Sequence, residues 1–206
     1  MNIENDSCFI RYIEDCEGGF AFLTHYILVD ENGCSDETFT VDHEDINYER
    51  AGHAGFDPDD INTGTHITKQ QYVQWEKQIK QAKETAVKML QQTARPINHD
   101  LEVGDCILHL MNGYIGKGYH DDDAFWGMRI LEIKGERLFT QCVFIGKHGF
   151  NSCDEIYKSD ESVQDIQNNS YFITAESFLA THNYMRRFCK DLLNEIKSHV
   201  RTLEDI

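Results

Sequence analysis

A histidine and three aspartates stand in a row at His120, Asp121, Asp122 and Asp123, shortly after three closely spaced glycines. Carboxylate oxygens are the ligands that hard cations such as Mg²⁺ and Mn²⁺ prefer. A metal-dependent enzyme would need further carboxylates from other strands, and the sequence alone assigns none. We therefore interpret the segment as a solvated hairpin tip and keep a metal-dependent enzyme as an alternative function.

Other patterns indicate chemistry at first and then fail at a required position. The run Asp60–Gln71 begins like a calcium-binding EF-hand loop, but Gln71 stands where a bidentate carboxylate is needed. His43 and Glu44 lack the second histidine that a zinc protease motif places one helical turn later. No nucleophile signature accompanies any cysteine. The sequence therefore yields no catalytic residue, no metal ligand and no cofactor.

Acidic residues are concentrated in the first third of the chain. The sequence holds 36 Asp and Glu against 19 Lys and Arg, a net charge of −17. Residues 1–67 contain 16 of these acids and only two bases, Arg11 and Arg50. A field of this sign attracts basic partners and repels phosphate backbones and anionic lipids. The asymmetry therefore favours a basic protein partner over direct binding of nucleic acid or of a membrane.

Two aspartate clusters are the candidate partner-binding residues. Asp57, Asp59 and Asp60 lie in the stretch from Asp42 to Thr65, where apolar periodicity disappears and a long loop is predicted. Loops of this length in compact domains are usually functional or mobile. The second cluster is Asp121, Asp122 and Asp123. We expect these six carboxylates to steer and hold a basic protein.

The seven cysteines predict a reduced, cytoplasmic protein. Their number is odd, no two form a C-x-x-C pair, and the first eight residues lack a basic signal region. Several lie in apolar runs, where free cysteine behaves as a small buried hydrophobe. The longest mostly apolar run, Phe20 to Val29, is too short to span a bilayer.

The first half of the chain predicts three antiparallel strands and one long helix. Cys8–Glu14, Phe20–Asp30 and Thr38–Val41 are β-branched and aromatic, with turn signals between them. A capping box at Thr68 and Gln71 predicts the start of a helix, which stops before Pro96. Apolar residues at helical spacing predict its buried stripe: Tyr72, Trp75, Ile79, Ala82, Ala86 and Leu90.

The second half predicts further strands and a closing helix. Cys106–Met111 is followed by a hairpin formed by Phe125–Ile133 and Arg137–Ile145, and the polar run from Ser152 to Ser170 is predicted to loop out. Thr174 is predicted to cap the last helix. The buried stripe predicted for this helix is Phe178, Met185, Phe188, Leu192, Ile196 and Leu203.

The segment EVGDCILHLMNGYIGKG, from Glu102 to Gly118, has a turn, an apolar strand and a glycine-rich second strand. This order resembles the start of SH3-like or PUA-like small barrels, some of which read RNA or modified bases. The resemblance implies a nucleic-acid or modified-base reader as a second alternative. The chain shows neither the basic stripe nor the aromatic ladder expected of such a reader.

Together these features predict an α+β fold: an N-terminal antiparallel β-meander, a long amphipathic helix, a second antiparallel sheet or small barrel, and a C-terminal packing helix. We expect residues 1–206 to form one domain, or two subdomains at 1–95 and 96–206. The function favoured by the sequence is an acidic cytosolic protein that neutralises a basic toxin, nuclease or DNA-binding protein. It would act as an immunity or inhibitor protein, or as a nucleic-acid mimic.

Overall fold

A computed structural model describes residues 6–14, 19–30, 33–54, 64–111, 124–147, 149–152 and 156–204. The fold is mixed α+β with antiparallel sheet, as predicted. The chain divides into two compact units. Unit 1 comprises residues 1–80 and 187–206, and unit 2 comprises residues 81–186. The two boundaries fall inside the helices Lys69–Gln91 and Ala175–Glu204, so each helix contributes one part to each unit.

In the described part of unit 1, five antiparallel strands form the sheet. They are β1 (Ser7–Ile13), β2 (Phe20–Asp30), β3 (Gly33–Val41), β4 (Asp45–Ala54) and β5 (Thr65–Ile67), in the order β5-β1-β2-β3-β4. Alternate residues of the strands are buried on one face, among them Ile10, Leu23 and Val41. This alternation matches the two-residue period of a half-buried strand.

The long helix α1 (Lys69–Gln91) starts where the capping pattern predicts. Thr68 Oγ1 accepts the backbone N–H of Gln71 over 3.2 Å, which satisfies one of the free donors of the first turn. All six residues of the predicted stripe are buried. Within unit 1, Trp75 is fully buried and its Nε1 donates to Glu195 of helix α3 (Ala175–Glu204) over 2.8 Å.

The main strands of unit 2 are β7 (Cys106–Met111), β8 (Ala124–Lys134), β9 (Arg137–Gly146), β10 (Gly149–Asn151) and β12 (Ser170–Ile173). They pair in the order β10-β9-β8-β7-β12, and β6 (Arg95–Pro96) extends the sheet beside β12. The two-residue strand β11 (Tyr157–Lys158) pairs with β9. The predicted β8–β9 hairpin is present, with Gly135 at a φ of 57° in its turn, a conformation that glycine adopts without strain.

Both faces of the unit 2 sheet are packed. On one face, a Cβ on Gly127 would lie 2.9 Å from Leu90 Cδ2 and 3.6 Å from the Phe178 ring, so the missing side chain lets both helices approach the strand. The other face carries a smaller core beneath helix α2 (Val163–Asn168). This core comprises Leu101, Ile107, Met128, Ile130, Leu138, Cys142 and Ile166.

Two segments predicted as loops contain regular structure. Asp45–Ala54 is strand β4, although only Ile46 of its described side chains is fully buried. Hydrogen bonding along β3, with Ile46 opposite Val41, overrides the polar pattern of this strand. The run from Ser152 to Ser170 contains β11 and α2; Ser162 caps α2 by accepting the N–H of Asp165 over 3.1 Å.

The buried stripe of α3 also differs from the prediction at one position. Phe188 is half-buried, whereas Cys189 is fully buried between Met185 and Leu192. The helical period allows either Phe188 or Cys189 to face the core. The prediction that Phe188 belongs to the buried stripe is therefore wrong, and Cys189 takes that position. Leu203 lies in α3 but its side chain is outside the described residues.

Candidate functional site

The six partner-binding aspartates predicted from the sequence lie outside the described residues. This holds for Asp57, Asp59 and Asp60 and for the whole run from His120 to Asp123. Over the described ranges, no group of three or more His, Cys, Asp and Glu side chains is placed to hold a metal ion. His43 and Glu44, rejected above as a zinc motif, approach each other to 3.8 Å. The candidate site must therefore be built from other residues.

Carboxylates crowd the β3–β4 turn of unit 1. The Asp42 Oδ1 atom accepts the backbone N–H groups of Glu44 and Asp45, each over 2.7 Å. Burial, followed by the charges of these three acids, raises the pKa of the Cys189 thiol. The turn therefore concentrates negative charge beside a neutral, buried thiol.

The bases of unit 1 offset only part of its charge. Described ion pairs join Asp6 to Lys69 over 2.6 Å, Glu14 to Lys197 over 2.6 Å and Glu37 to Arg50 over 3.9 Å. Lys69 and His25 lower the pKa of Asp6 by hydrogen bonding to its carboxylate. Two of these three bases, Lys69 and Lys197, belong to the helices. The third, Arg50, is one of only two Lys or Arg residues in residues 1–67.

A row of cross-strand neighbours spans one face of the unit 2 sheet. His109 of β7 is paired with Ser170 of β12 on one side and with Trp126 of β8 on the other, and Trp126 is paired with Phe144 of β9. Residues directly opposite each other on antiparallel strands point to the same face. The register therefore places an imidazole between a hydroxyl and two aromatic rings.

The indole of Trp126 contacts two other aromatic rings. Its centroid is 4.7 Å from that of Phe144 and 5.1 Å from that of Tyr157 of β11, both in tilted geometry. Gly146 makes room for this arrangement, since a Cβ at that position would lie 2.7 Å from Phe144 Cζ. The indole nitrogen of Trp126 is buried and has no hydrogen-bond partner among the described residues.

The rings of Trp126 and Tyr157 border a cavity of about 190 Å³, which we call the aromatic–acidic cavity. Its walls combine aromatic and apolar side chains with two carboxylates from the segment before α2. The lining residues are His109, Trp126, Met128, Tyr157, Ser159, Asp160, Glu161 and Ile166.

The carboxylates of Asp160 and Glu161 lie at the exposed side of the cavity. Asp160 is exposed, and the Glu161 side chain is 47% exposed. Burial, the charge of Asp160 and a hydrogen bond to Asp160 raise the pKa of Tyr157. The phenol therefore stays protonated at neutral pH and donates to that carboxylate. Neither acid forms an ion pair with a described lysine or arginine, and the imidazole of His109, 3.7 Å from Glu161, carries charge only when it is protonated. Among the described residues, the two carboxylates therefore have no permanent positive charge beside them.

His109 connects the cavity to the sheet. The His109 side chain is 9% exposed. Its Nδ1 is 3.0 Å from Ser170 Oγ and its Nε2 is 3.7 Å from Glu161 Oε1. The three groups have the residue types of a hydrolytic Ser-His-Glu triad. However, Ser170 is buried in the sheet and does not line the cavity, so a substrate there would not meet its hydroxyl. The arrangement suits binding better than nucleophilic catalysis.

Sequence reasoning named none of the cavity residues as a binding site. His109 and Trp126 are seventeen positions apart, and only the strand register makes them neighbours. Asp160 and Glu161 lie in the run from Ser152 to Ser170, which the sequence predicts to be a loop. The only signal in the sequence is the local excess of acids at Asp160, Glu161 and Asp165. That excess predicts a negatively charged segment but does not predict a cavity beside it.

Comparison of the chain with protein families, with characterised proteins and with solved structures finds no match. None of the helices in the described part of the chain is long and apolar enough to cross a membrane. Function is therefore inferred from the charge distribution and the cavity.

Proposed function

We propose that this chain is an acidic binding protein that neutralises a basic protein partner. The observation that carries the proposal is the 16-to-2 excess of acids over bases in residues 1–67. Uncompensated like charge destabilises a compact state through self-repulsion. Contact with a basic surface relieves that repulsion, so the excess of acids favours binding of a basic protein.

The structure supports binding through the placement of these acids. Carboxylates of unit 1 gather at the β3–β4 turn, where Asp42 holds Glu44 and Asp45 in place. The candidate contact residues Asp57, Asp59 and Asp60 follow this region in the sequence. The field of such an excess of carboxylates accelerates association by long-range attraction and suppresses wrong partners by like-charge repulsion.

Two kinds of basic partner fit the proposal. One is a toxin or nuclease whose active site is positively charged for a nucleic-acid substrate and is blocked by this chain. The other is a DNA-binding protein whose groove accepts carboxylates in place of phosphates. In both, the protein binds no nucleic acid itself, because its net charge of −17 repels phosphate.

The finer features of the fold and setting stay predictions. They include a small barrel built on Glu102–Gly118, whose second strand falls outside the described residues. Cytoplasmic location, reduced cysteines and function as an inhibitor or immunity protein are likewise proposed from the sequence.

The test is affinity capture from the native host, identification of the partner, and kinetics of the purified pair at two ionic strengths. We expect a basic partner whose association rate falls steeply as salt is added. The proposal would be refuted if no basic protein is captured, or if the association rate does not change with ionic strength. Metal-dependent turnover requiring Asp121–Asp123 would establish the enzyme alternative instead, and steeply salt-dependent binding of RNA or DNA would establish the reader.

A further inference from the structure

We propose that the aromatic–acidic cavity of unit 2 receives an arginine side chain of the basic partner. The inference rests on the proposed function and adds the chemical group that is recognised and the site that recognises it. It is carried by the juxtaposition of the Trp126 and Tyr157 rings with the carboxylates of Asp160 and Glu161 around one small cavity.

The size of the cavity selects a single side chain. Ligand and cofactor pockets usually measure about 300–1,000 Å³. The aromatic–acidic cavity measures about 190 Å³, which is small for a nucleotide or a cofactor. At protein interfaces, anchor side chains fill pockets of this kind near the centre of the contact, and arginine is among the residues that most often do so.

The lining selects a cation. The face of an aromatic ring attracts positive charge, most strongly for tryptophan. Two carboxylates at the same mouth add charge attraction and hydrogen-bond acceptors. A neutral group would gain the apolar contact with Met128 and Ile166 but would leave both carboxylates without a cationic partner.

Other aromatic rings of unit 2 already have cations of the chain itself. The guanidinium of Arg95 lies 4.7 Å from the Phe172 centroid, and the ammonium of Lys134 lies 5.0 Å from the Phe139 centroid. Within the described ranges, no lysine or arginine lies over the ring of Trp126 or Tyr157. Asp160 and Glu161 also lack a described lysine or arginine partner, so among the described residues this site has the composition of a cation site and no lysine or arginine of its own.

Arginine fits this lining better than lysine. Its planar guanidinium can stack on an indole or phenol face while its N–H groups donate to carboxylates at the edge. It also loses hydration more readily than the compact ammonium of lysine. The cavity offers both features, with rings on the inside and Asp160 and Glu161 at the exposed side.

The experiment is a titration of the full chain, labelled with ¹⁵N, with N-acetyl-arginine amide. The chain has two tryptophans, so two indole N–H signals report the binding, and Trp126→Phe identifies the Trp126 signal by its loss. We expect that signal to shift saturably with a dissociation constant in the millimolar range, while the signal of the fully buried Trp75 stays fixed. N-acetyl-citrulline amide, which has nearly the same shape without the charge, should bind at least about tenfold more weakly.

Charge variants separate the cavity from the overall field. Asp160→Asn with Glu161→Gln should weaken the arginine probe about tenfold or more. The matched control is Asp100→Asn with Glu132→Gln, which removes the same charge from exposed positions of unit 2 outside the cavity, and it should leave the affinity within about twofold. Retained dispersion of both indole signals verifies that each variant is folded.

The inference is overturned if the Trp126 signal shows no saturable shift, if the citrulline probe binds as tightly as the arginine probe, or if the control variant loses as much affinity as the cavity variant. A shift caused by adenosine but not by the arginine probe would assign the cavity to a nucleobase and would also overturn it. These outcomes leave the charge-based proposal standing, since that proposal fails only in the partner kinetics.

Discussion

Trp75 lies in the core of unit 1, and its truncation tests how α1 packs. The indole is fully buried, meets the His199 ring edge-on at 5.5 Å and donates to Glu195. Truncating a buried aromatic to alanine costs about 3–5 kcal/mol, because the lost apolar contacts add to the cavity left behind. Glu195 is exposed, so water can replace the lost donor and that loss adds little. We therefore expect Trp75→Ala to lower the free energy of unfolding by about 3–5 kcal/mol.

The assay is urea unfolding followed by far-ultraviolet circular dichroism. The matched control is Val73→Ala on the same helix, where the side chain is 44% exposed, and its effect should stay within about 0.5 kcal/mol. Phe188→Ala should cost less than Trp75→Ala, because Phe188 is half-buried. A loss below about 1 kcal/mol for Trp75→Ala, or one equal to the Val73→Ala effect, would mean that the buried face of α1 is misassigned.

Two further predictions concern the cores. Gly127→Ala should lower the free energy of unfolding by about 1–3 kcal/mol, because the new Cβ would lie 2.9 Å from Leu90 Cδ2. Adding Leu90→Ala to the same chain should remove part of that cost, so the double variant should lose less stability in urea unfolding than the sum of the two single variants. A loss equal to that sum would contradict the contact between the two positions. The four described buried cysteines should resist iodoacetamide in the folded protein, with mass mapping as the readout. They are Cys8, Cys106, Cys142 and Cys189. Burial raises the pKa of Cys8 to about 11 and that of Cys106 to about 11, so the reactive thiolate is scarce at neutral pH. Denatured protein should show seven free thiols. Rapid alkylation of any of the four buried cysteines in the folded protein would contradict this prediction.

Helices and long strands were predictable because local signals and burial agree there. Thr68 satisfies an N-terminal amide, and the apolar spacing from Tyr72 to Leu90 has the period of a helix. Strand β2 matches its predicted bounds, Phe20–Asp30, because its residues favour a strand and both neighbours pair with it.

Strand β4 and the cavity were not predictable for one physical reason. Both depend on which strands become neighbours. Asp45–Ala54 is polar and becomes a strand through its pairing with β3. His109 and Trp126 share a face only because β7 and β8 align in one register. A shift of one residue would send Trp126 to the opposite face, and nothing in the local sequence fixes that choice.

The most direct test of the central claim is the association rate of the captured partner with Asp57→Asn, Asp59→Asn and Asp60→Asn combined in one chain. Charges at the rim of an interface mainly set the association rate and its salt dependence. The account predicts slower association and a flatter dependence on ionic strength, with little change in the free energy of unfolding. An unchanged rate and an unchanged salt slope would contradict the assignment of the partner surface to this acidic region.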